Sequence, residues 1–312
     1  MKIYIPQKSK KTGKDYFFDR LSLALVSLGE KVTHDPHSAH DISLQAVFIE
    51  KTRTKKYVLR LNGVHHDIHK NYRKINQSIV VKGLSHANGV VYQSQFSQDM
   101  CDKYLGEFSG PHAIIPNGAP VCKSKAKGKH FVAASRWRPH KRLQDIIRSF
   151  LAADLDKYIK LYIAGSLDQC GILPQKLALY QRLPNIIFLG EKCQLDLLYR
   201  LNHAYAAIHL CWFDNCPNSV VEAIAAGVPV ITNNVGGTHE IVRPSGGMVL
   251  DLDKPYDLEP CELYKPPAVD HDLVGWAIKS LTEETRHIYS KHVDIMTVAK
   301  KYRKFFLGVL NG

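Results

Sequence analysis

The regular alternation of strand-like and helix-like segments is the feature that most limits what this chain can fold into. Short apolar runs predict strands, and the segments between them have apolar residues at helical spacing. The predicted strands lie at 1–6, 46–49, 57–61, 89–93, 113–116, 131–134, 160–164, 186–189, 206–212 and 228–232. The predicted helices lie at 16–29, 75–87, 96–105, 141–153, 174–182, 194–202, 219–226 and most of 270–309. Strands separated by helices indicate an α/β chain with parallel, doubly wound sheets.

A polar, lysine-rich stretch divides this alternating series into two halves. The chain has 312 residues, which suits two domains better than one. We therefore predict a Rossmann-like domain over 1–120, a linker over 121–129 and a second Rossmann-like domain over 130–285. We expect the segment 286–312 to be a helix that packs back on the first domain. Open α/β sheets bind ligands at the carboxyl ends of their strands, so we expect the two domains to face a cleft.

The composition indicates a basic, cytoplasmic protein. There are 42 Lys and Arg against 29 Asp and Glu, a net charge of +13, which indicates a negatively charged partner or surface. No apolar run is long enough for a transmembrane segment, so we expect at most a peripheral association with the inner face of a membrane. None of the seven cysteines forms a CxxC pair. We expect no metal, and we interpret the histidines at 34, 37 and 40 as part of a polar surface loop.

Residues 211–242 contain the most informative pattern. Asp214 lies in a loop after a predicted strand, and the next helix begins near Asn218 or Ser219 and carries Glu222 in its first turn. The free N–H groups at a helix start bind anions, and a carboxylate beside them can accept hydrogen bonds from a sugar diol. The alternative is that Ser219 and Glu222 form a capping box and only satisfy backbone donors.

Two cations follow the first strand of the second half. Arg136 lies at the tip of the strand 131–134, and Lys141 lies at the start of the following helix. If these two cations lie on the same edge of the sheet as the start of the 219–226 helix, they could bind a diphosphate between them. The alternative is a solvated basic loop.

Together these motifs resemble the retaining nucleotide-sugar glycosyltransferases of the family 4 type, also called group 1, which have the GT-B fold. Three segments of the first half resemble the corresponding segments of bacterial members that build surface polysaccharides. These segments are VLRLNGVHHD, GVVYQSQFS and IIPNG. The chain departs from the family at two positions. Asp214 stands where the family usually has Glu, and Asn62 stands where many members have His or Asp. The matching motifs are Arg136-x4-Lys141, Asp214-x7-Glu222, the Ala-Gly-x-Pro-Val entry at 226–230 and the Gly-Gly-x-x-Glu turn at 236–240.

The resemblance implies a nucleoside diphosphate sugar donor, UDP-sugar above all, with no cofactor and no metal. Glu222 would hold the ribose hydroxyls, and Asp214 would hold hydroxyls of the donor sugar. The departing diphosphate would be stabilised by two cations and by a set of residues around the helix start and the glycine turn. These donor-binding residues are Arg136, Lys141, Asn218, Ser219, Gly236 and Gly237. The acceptor hydroxyl would attack from the face of the leaving group, so that the anomeric configuration is retained.

The resemblance places the acceptor on the first domain. Asn62, His65 and His66 follow the strand 57–61 and are the candidates for orienting the acceptor or the reacting sugar. The loop after the first strand carries Lys10, Lys11 and Lys14, which we expect to meet a phosphate-bearing acceptor.

Three interpretations of the acceptor remain open. The first is a glycan or lipid-linked saccharide at the inner membrane face, where basic residues would meet anionic lipids. The second is DNA with hydroxymethylated bases, the acceptor of some viral glycosyltransferases. Such an enzyme would flip the target base out of the duplex while lysines hold the DNA backbone. The third is a nucleic-acid-binding relic of the fold without catalysis, which the intact Arg136, Lys141 and Glu222 disfavour.

Overall fold

The computed structural model describes residues 1–7, 13–121, 128, 130–284 and 286–312. The chain divides into two compact units. The first comprises Met1–Pro120, Asp257–Cys261 and His292–Gly312, and the second comprises Val121–Tyr256 and Glu262–Lys291. Each unit contains a six-stranded parallel sheet with helices, so the predicted α/β class with two Rossmann-like sheets is confirmed. No helix among these residues is both long and apolar enough to cross a membrane.

The first sheet has the strand order β2-β1-β3-β4-β5-β6, and all its pairs are parallel. Its strands are β1 Lys2–Tyr4, β2 Lys31–Thr33, β3 Ile42–Ala46, β4 Tyr57–Arg60, β5 Gly89–Tyr92 and β6 His112–Ile114. The helices between them are α1 Gly13–Ser27, α2 Tyr72–Lys82 and α3 Gln95–Leu105. Because parallel strands end on the same side, the loops after β4, β5 and β6 lie together at one edge of the sheet.

The second sheet has the strand order β12-β11-β10-β7-β8-β9. Its strands are β7 His130–Ala134, β8 Lys160–Ala164, β9 Ile186–Gly190, β10 Ala204–His209, β11 Val230–Asn233 and β12 Met248–Leu250. Its helices are α4 Leu143–Ala152, α5 Pro174–Gln181, α6 Gln194–Leu201, α7 Asn218–Ala225, α8 Thr238–Val242 and α9 His271–Glu283. The chain proceeds from β7 outward to β8 and β9, then returns to place β10 on the other side of β7. Such a reversal of strand order opens a crevice at the carboxyl ends of the two neighbouring strands.

A buried ion pair fixes the segment that leads into α4. Arg142 has a left-handed backbone, with φ of 56°, and its guanidinium donates two hydrogen bonds to Asp253 at 2.8 and 2.6 Å. Asn233, at the end of β11, donates to the same carboxylate at 2.8 Å. A bidentate pair with a third donor satisfies a buried carboxylate well, so the turn before α4 is held against the loop after β12.

The C-terminal helix α10, Ile295–Asn311, packs within the first unit. It begins at the N-cap Asp294, whose carboxylate accepts from the backbone N–H groups of Met296 and Thr297. Its apolar stripe joins the core formed by α1 and the first sheet, where Phe17 and Tyr302 place their rings 6.1 Å apart. The buried residues of the stripe are Ile295, Val298, Ala299, Tyr302, Phe306 and Val309.

The predicted strand over 46–49 was wrong. The strand is instead Ile42–Ala46, and the chain turns at Val47, whose φ is 69°, while Phe48 is exposed. Ser43 and Gln45 are polar but buried, because Gln45 donates to the Ser43 hydroxyl and the Glu50 carbonyl and accepts from the Glu50 N–H. Hydrogen-bonded polar residues can occupy a core strand, and they mask its apolar signal in the sequence.

Candidate functional site

The loops after β7 and β10 meet at the carboxyl edge of the second sheet. Lys141 ends a short 3-10 helix, Pro139–Lys141, that follows β7, and Asp214 lies in the loop after β10. The Lys141 ammonium donates a hydrogen bond to the Asp214 carboxylate and forms an ion pair with it. Two residues that the sequence placed together from separate motifs are therefore in direct contact.

Both members of this pair are charged at neutral pH. Their side chains are only 16% and 21% exposed. Burial by itself would lower the pKa of Lys141, but the Asp214 carboxylate outweighs burial and raises that pKa. Burial would likewise raise the pKa of Asp214, but the Lys141 ammonium holds it below its ordinary value. The pair is thus a polar, preorganised charge at the sheet edge.

Two buried histidines beside the pair are neutral. Burial and the nearby Lys141 charge lower the pKa of His140 to about 3 and that of His209 to about 4. His209 is the last residue of β10, and its Nε2 lies 3.8 Å from the Asp214 carboxylate. His140 stacks on Tyr264 with ring centroids 5.5 Å apart. Neither imidazole adds a positive charge at neutral pH, so the cationic character here comes from Lys141.

Within the described ranges, His209, Cys211 and Asp214 are the residues grouped closely enough to hold a metal ion, with ligand atoms within 4.8 Å of one another. The Lys141 ammonium already donates a hydrogen bond to Asp214, and the Cys211 thiol donates to the Phe213 carbonyl. Burial raises the pKa of the Cys211 thiol to about 12, whereas a metal binds the thiolate. The cation that pairs with Asp214 in this cluster of His209, Cys211 and Asp214 is therefore the Lys141 ammonium.

A glycine turn packs against the loop that carries Asp214. The Gly237 N–H donates to the Asp214 carbonyl at 2.7 Å. Gly236 has a φ of 79°, and a Cβ there would lie 3.0 Å from backbone atoms of Asp214. Only glycine fits both the left-handed backbone and this close approach, so the predicted Gly236–Gly237 turn is directly beside the ion pair.

Helix α7 starts at Asn218, one residue before Ser219. Its N-cap is Pro217, which makes no side-chain capping hydrogen bond. Ser219 is therefore inside the helix, and the capping-box alternative does not describe this helix start. Glu222 is 6% exposed and accepts a hydrogen bond from Gln194 Nε2 at 3.1 Å.

A small pocket lies between α7 and the strands β7 and β10. Ala134 at the end of β7, His209 at the end of β10 and Ser219 in the first turn of α7 all reach it. Its lining residues are Val132, Ala134, Leu201, Ala207, Ile208, His209, Ser219 and Val220. The first turn of α7 thus borders a concave region next to the buried histidine.

Arg136 lies on the same edge but is exposed. Its neighbour Trp137 is 2% exposed and donates from Nε1 to the Ala164 carbonyl at 2.9 Å, which anchors the loop after β7. Within the described part of the chain, no hydrogen bond or ion pair of the Arg136 guanidinium is found. The side chain is available to an anion, and its predicted contact with a diphosphate stays a prediction.

The acceptor-side candidates lie at the carboxyl edge of the first sheet. Asn62 follows β4, and its Oδ1 accepts hydrogen bonds from Arg60 and Gln93. The backbone of His65 is clamped by buried Asn76, which accepts from the His65 N–H at 2.9 Å and donates to its carbonyl at 2.7 Å. This clamp fixes the path of the loop after β4.

The imidazoles of this loop are neutral at physiological pH. Partial desolvation by surrounding protein atoms lowers the pKa of both His65 and His66, and the Lys70 charge adds to the effect at His65. His65 is exposed and His66 is half-buried. Lys10 and Lys11 lie outside the described residues. Lys14 belongs to the first turn of α1, where the structure describes its backbone but not its side chain. Their predicted contact with a phosphate stays a prediction.

Several polar residues at the two edges were not singled out by the sequence. Each of them lies at the end of a strand, in the loop that follows a strand, or on a helix next to such a loop. That location in the predicted α/β pattern could have identified them. These residues are Arg60, Asn76, Gln93, His140, Gln194 and His209.

Comparison with known proteins points to one class. Residues 128–258 match the family described as "Glycosyl transferases group 1". A Bacillus subtilis strain 168 protein that carries the name teichuronic acid biosynthesis glycosyltransferase TuaC is 21% identical over 283 residues, which cover 82% of this chain and 68% of that protein.

Solved structures give the same fold. AviGT4, a glycosyltransferase involved in avilamycin A biosynthesis, superposes with a TM-score of 0.62 at 16% identity, covering 100% of this chain and 98% of that one. Alr3699/HepE from Anabaena, solved in complex with UDP, gives a TM-score of 0.63 at 14% identity, with coverages of 98% and 99%. HepE has also been solved with UDP-glucose.

Two six-stranded parallel sheets, each in its own α/β unit, define the GT-B class of fold. Residues 128–258 match the group 1 glycosyltransferase family, so this part of the chain is a glycosyltransferase domain of that type. The resemblance to group 1 glycosyltransferases is thereby confirmed for the part of the chain that carries the motifs Arg136-x4-Lys141 and Asp214-x7-Glu222.

Proposed function

We propose that this chain transfers a sugar from a UDP-sugar to an acceptor hydroxyl with retention of the anomeric configuration. The observation that carries the proposal is the Lys141–Asp214 ion pair, which lies beside the Gly236–Gly237 turn in the loop that leads into α7. A buried cation next to a helix N-terminus suits the charge of a diphosphate. UDP and UDP-glucose are ligands in structures of HepE, which supports a uridine nucleotide here.

Lys141 exchanges partners when the donor binds. In the absence of ligand its ammonium is neutralised by Asp214. A diphosphate brings two or more negative charges, so Lys141 turns to the phosphoryl oxygens together with Arg136. The Asp214 carboxylate is then available to accept hydrogen bonds from hydroxyls of the donor sugar.

The remaining donor contacts come from α7 and the glycine turn. Backbone N–H groups at Asn218 and Ser219 stabilise charge that develops on the departing phosphate. Glu222 accepts hydrogen bonds from the two ribose hydroxyls, because a carboxylate offers two oxygens to a vicinal diol. The neutral state of His140 and His209 lets them act as uncharged hydrogen-bonding groups near the leaving group.

The acceptor is a glycan or a lipid-linked saccharide that the first unit holds. The TuaC relative is named for teichuronic acid biosynthesis, which supports a polysaccharide acceptor. Asn62, His65 and His66 orient the acceptor or the reacting sugar, and Lys10, Lys11 and Lys14 meet its phosphates. The acceptor hydroxyl attacks the anomeric carbon from the face of the leaving diphosphate, the C–O bond to the phosphate breaks, and the acceptor proton leaves with the diphosphate.

Product analysis tests this proposal. The protein is incubated with a panel of nucleotide sugars and with membrane lipid extract, glycan fragments or hydroxymethylated DNA, and products are identified by mass spectrometry and anomeric NMR. We expect transfer from a UDP-sugar to lipid or glycan, with retention. Lys141→Met should lower turnover by about tenfold or more, while the exposed Lys157→Met serves as the matched control. Sugar found only on DNA, an inverted product, or no transfer by the wild type would contradict the proposal.

A further inference from the structure

Lys141 and His209 approach the same oxygen of the Asp214 carboxylate. The Lys141 ammonium donates a hydrogen bond to Asp214 Oδ2. His209 Nε2 lies 3.8 Å from that same oxygen. An N–H···O hydrogen bond has a nitrogen–oxygen distance of about 2.9 Å, so the imidazole stands beside the carboxylate without bonding to it.

The imidazole of His209 is buried with this nitrogen unsatisfied. His209 is 7% exposed, and among the residues that the structure describes its Nε2 has no hydrogen-bond partner. A buried polar atom without a partner destabilises a folded protein, so such atoms are rare in native structures. The position of Nε2 next to Asp214 therefore calls for a functional explanation.

The backbone is anchored on both sides of the gap. His209 ends β10, where it pairs in register with Thr232 of β11, and its carbonyl accepts from the Thr232 hydroxyl at 2.8 Å. The Asp214 carbonyl accepts from the Gly237 N–H at 2.7 Å. A side-chain movement of about 1 Å would bring Nε2 and Oδ2 to hydrogen-bond distance without any change of the backbone.

The partner of Asp214 Oδ2 depends on where Lys141 points. The proposed function moves the Lys141 ammonium to the phosphoryl oxygens of the donor, which takes the cation away from a carboxylate that is only 21% exposed. A largely buried carboxylate without a partner is costly. A neutral imidazole carries one N–H group, which can donate to the oxygen that the ammonium has left.

We propose that His209 is a positioning residue that takes over Asp214 Oδ2 from Lys141 when a diphosphate binds. Its Nε2–H group then donates to Oδ2, keeps the carboxylate in place for the donor sugar and lowers the cost of drawing Lys141 away. This inference rests on the proposed function and adds the residue that makes the exchange of partners by Lys141 favourable.

A double-mutant cycle on UDP affinity tests this exchange, with binding measured by isothermal titration calorimetry. The four proteins are the wild type, His209→Phe, Asp214→Asn and the double variant. We expect His209→Phe to weaken UDP binding about tenfold, because the Asp214 carboxylate then loses Lys141 without gaining another donor. In the Asp214→Asn background the same change should alter UDP affinity by about twofold or less, because no carboxylate is left unpaired.

Rescue and a matched control separate this role from packing. His209→Gln should bring UDP affinity to within about threefold of the wild type, because its side-chain NH2 group can still donate to Asp214. The control is His130, another buried histidine of the second sheet, which lies at the start of β7 with its Nε2 2.9 Å from the Arg200 carbonyl. His130→Phe should leave UDP affinity unchanged.

Three results would overturn the inference while the wild type still binds UDP. They are equal losses of affinity from His209→Phe in both backgrounds, no loss in either background, and a His209→Gln protein that binds UDP as weakly as His209→Phe. If the wild type itself does not bind UDP, the proposed function fails and this inference fails with it.

Discussion

At the residue scale, the candidate site of the second unit combines the Lys141–Asp214 ion pair with two uncharged histidines. Lys141 and Asp214 are ionised, whereas His140 and His209 have pKa values of about 3 and 4. A lone buried ammonium would be costly, and the carboxylate compensates for it until an anion arrives. The charge of Lys141 is therefore compensated within the protein.

The neutral state of His140 has a consequence for stability against pH. Below its ordinary pKa of 6.5 the unfolded chain binds a proton that the folded chain, with a pKa of about 3, does not bind. The free energy of unfolding should therefore fall as the pH drops from about 6.5 toward 3, by about 1.4 kcal/mol per pH unit for each proton taken up. His140→Phe keeps the stacking on Tyr264 and removes this titration.

Urea denaturation of the wild type and His140→Phe at pH 7, 6, 5 and 4 measures the effect. We expect the decline of stability with acidification to be shallower in the variant, since the remaining groups still titrate. Parallel curves over this range would show that His140 is protonated in the folded protein at the same pH as in the unfolded chain.

The sequence located candidate residues of the second unit but not the contacts between them. Arg136, Lys141, Asp214 and Glu222 were recognised from motif spacing. That Lys141 pairs with Asp214 depends on β10 lying beside β7, which is a property of sheet order and not of local sequence. Arg60 was not recognised because nothing in VLRLNG shows that a buried arginine would be held in part by Asn117, 57 residues further along the chain.

At the scale of elements, α10 completes the core of the first unit. Its apolar stripe packs with α1 and the sheet, and Phe306 is fully buried while its neighbour Leu307 is 43% exposed. Truncating a buried phenylalanine removes its burial and leaves a cavity, which costs about 3–5 kcal/mol. An exposed leucine on the same helix should cost about 0.5 kcal/mol or less.

Phe306→Ala and its matched control Leu307→Ala test the role of this helix. We expect the free energy of unfolding, from urea denaturation followed by circular dichroism, to fall by several kcal/mol only in the first variant. Equal losses for the two variants would contradict the assignment of Phe306 to the core of the first unit, because alanine itself favours the helix in both.

The elements that the sequence located well are the apolar ones. The strand predicted at 160–164 is β8 with the same bounds, because Leu161, Ile163 and Ala164 are buried in an apolar run. The strands Lys31–Thr33 and Met248–Leu250 were not predicted, since each has only three residues and is defined by its pairing partner. Local patterns give little signal for such short edge strands.

At the scale of the whole molecule, both units repeat one plan. Each sheet is parallel, and each collects polar side chains at its carboxyl edge: Arg60, Asn62, Gln93 and Asn117 in the first unit and the Lys141–Asp214 pair in the second. These polar groups account for little of the net charge of +13, because Lys141 is already paired with Asp214. Under the proposed function, Lys141 and Arg136 bind the donor, and we propose that the excess charge serves the acceptor or the surface that presents it.

The most direct test of this account is the affinity of UDP, measured by isothermal titration calorimetry. We compare the wild type with Lys141→Met, with the double variant Lys141→Met/Asp214→Asn, in which no charge is left unpaired, and with the control Lys157→Met. We predict that UDP binds the wild type and Lys157→Met equally, and that both Lys141 variants bind it about tenfold more weakly or worse, equivalent to about 1.4 kcal/mol. Unchanged affinity in the Lys141 variants, or no binding by the wild type, would contradict the assignment of the donor site.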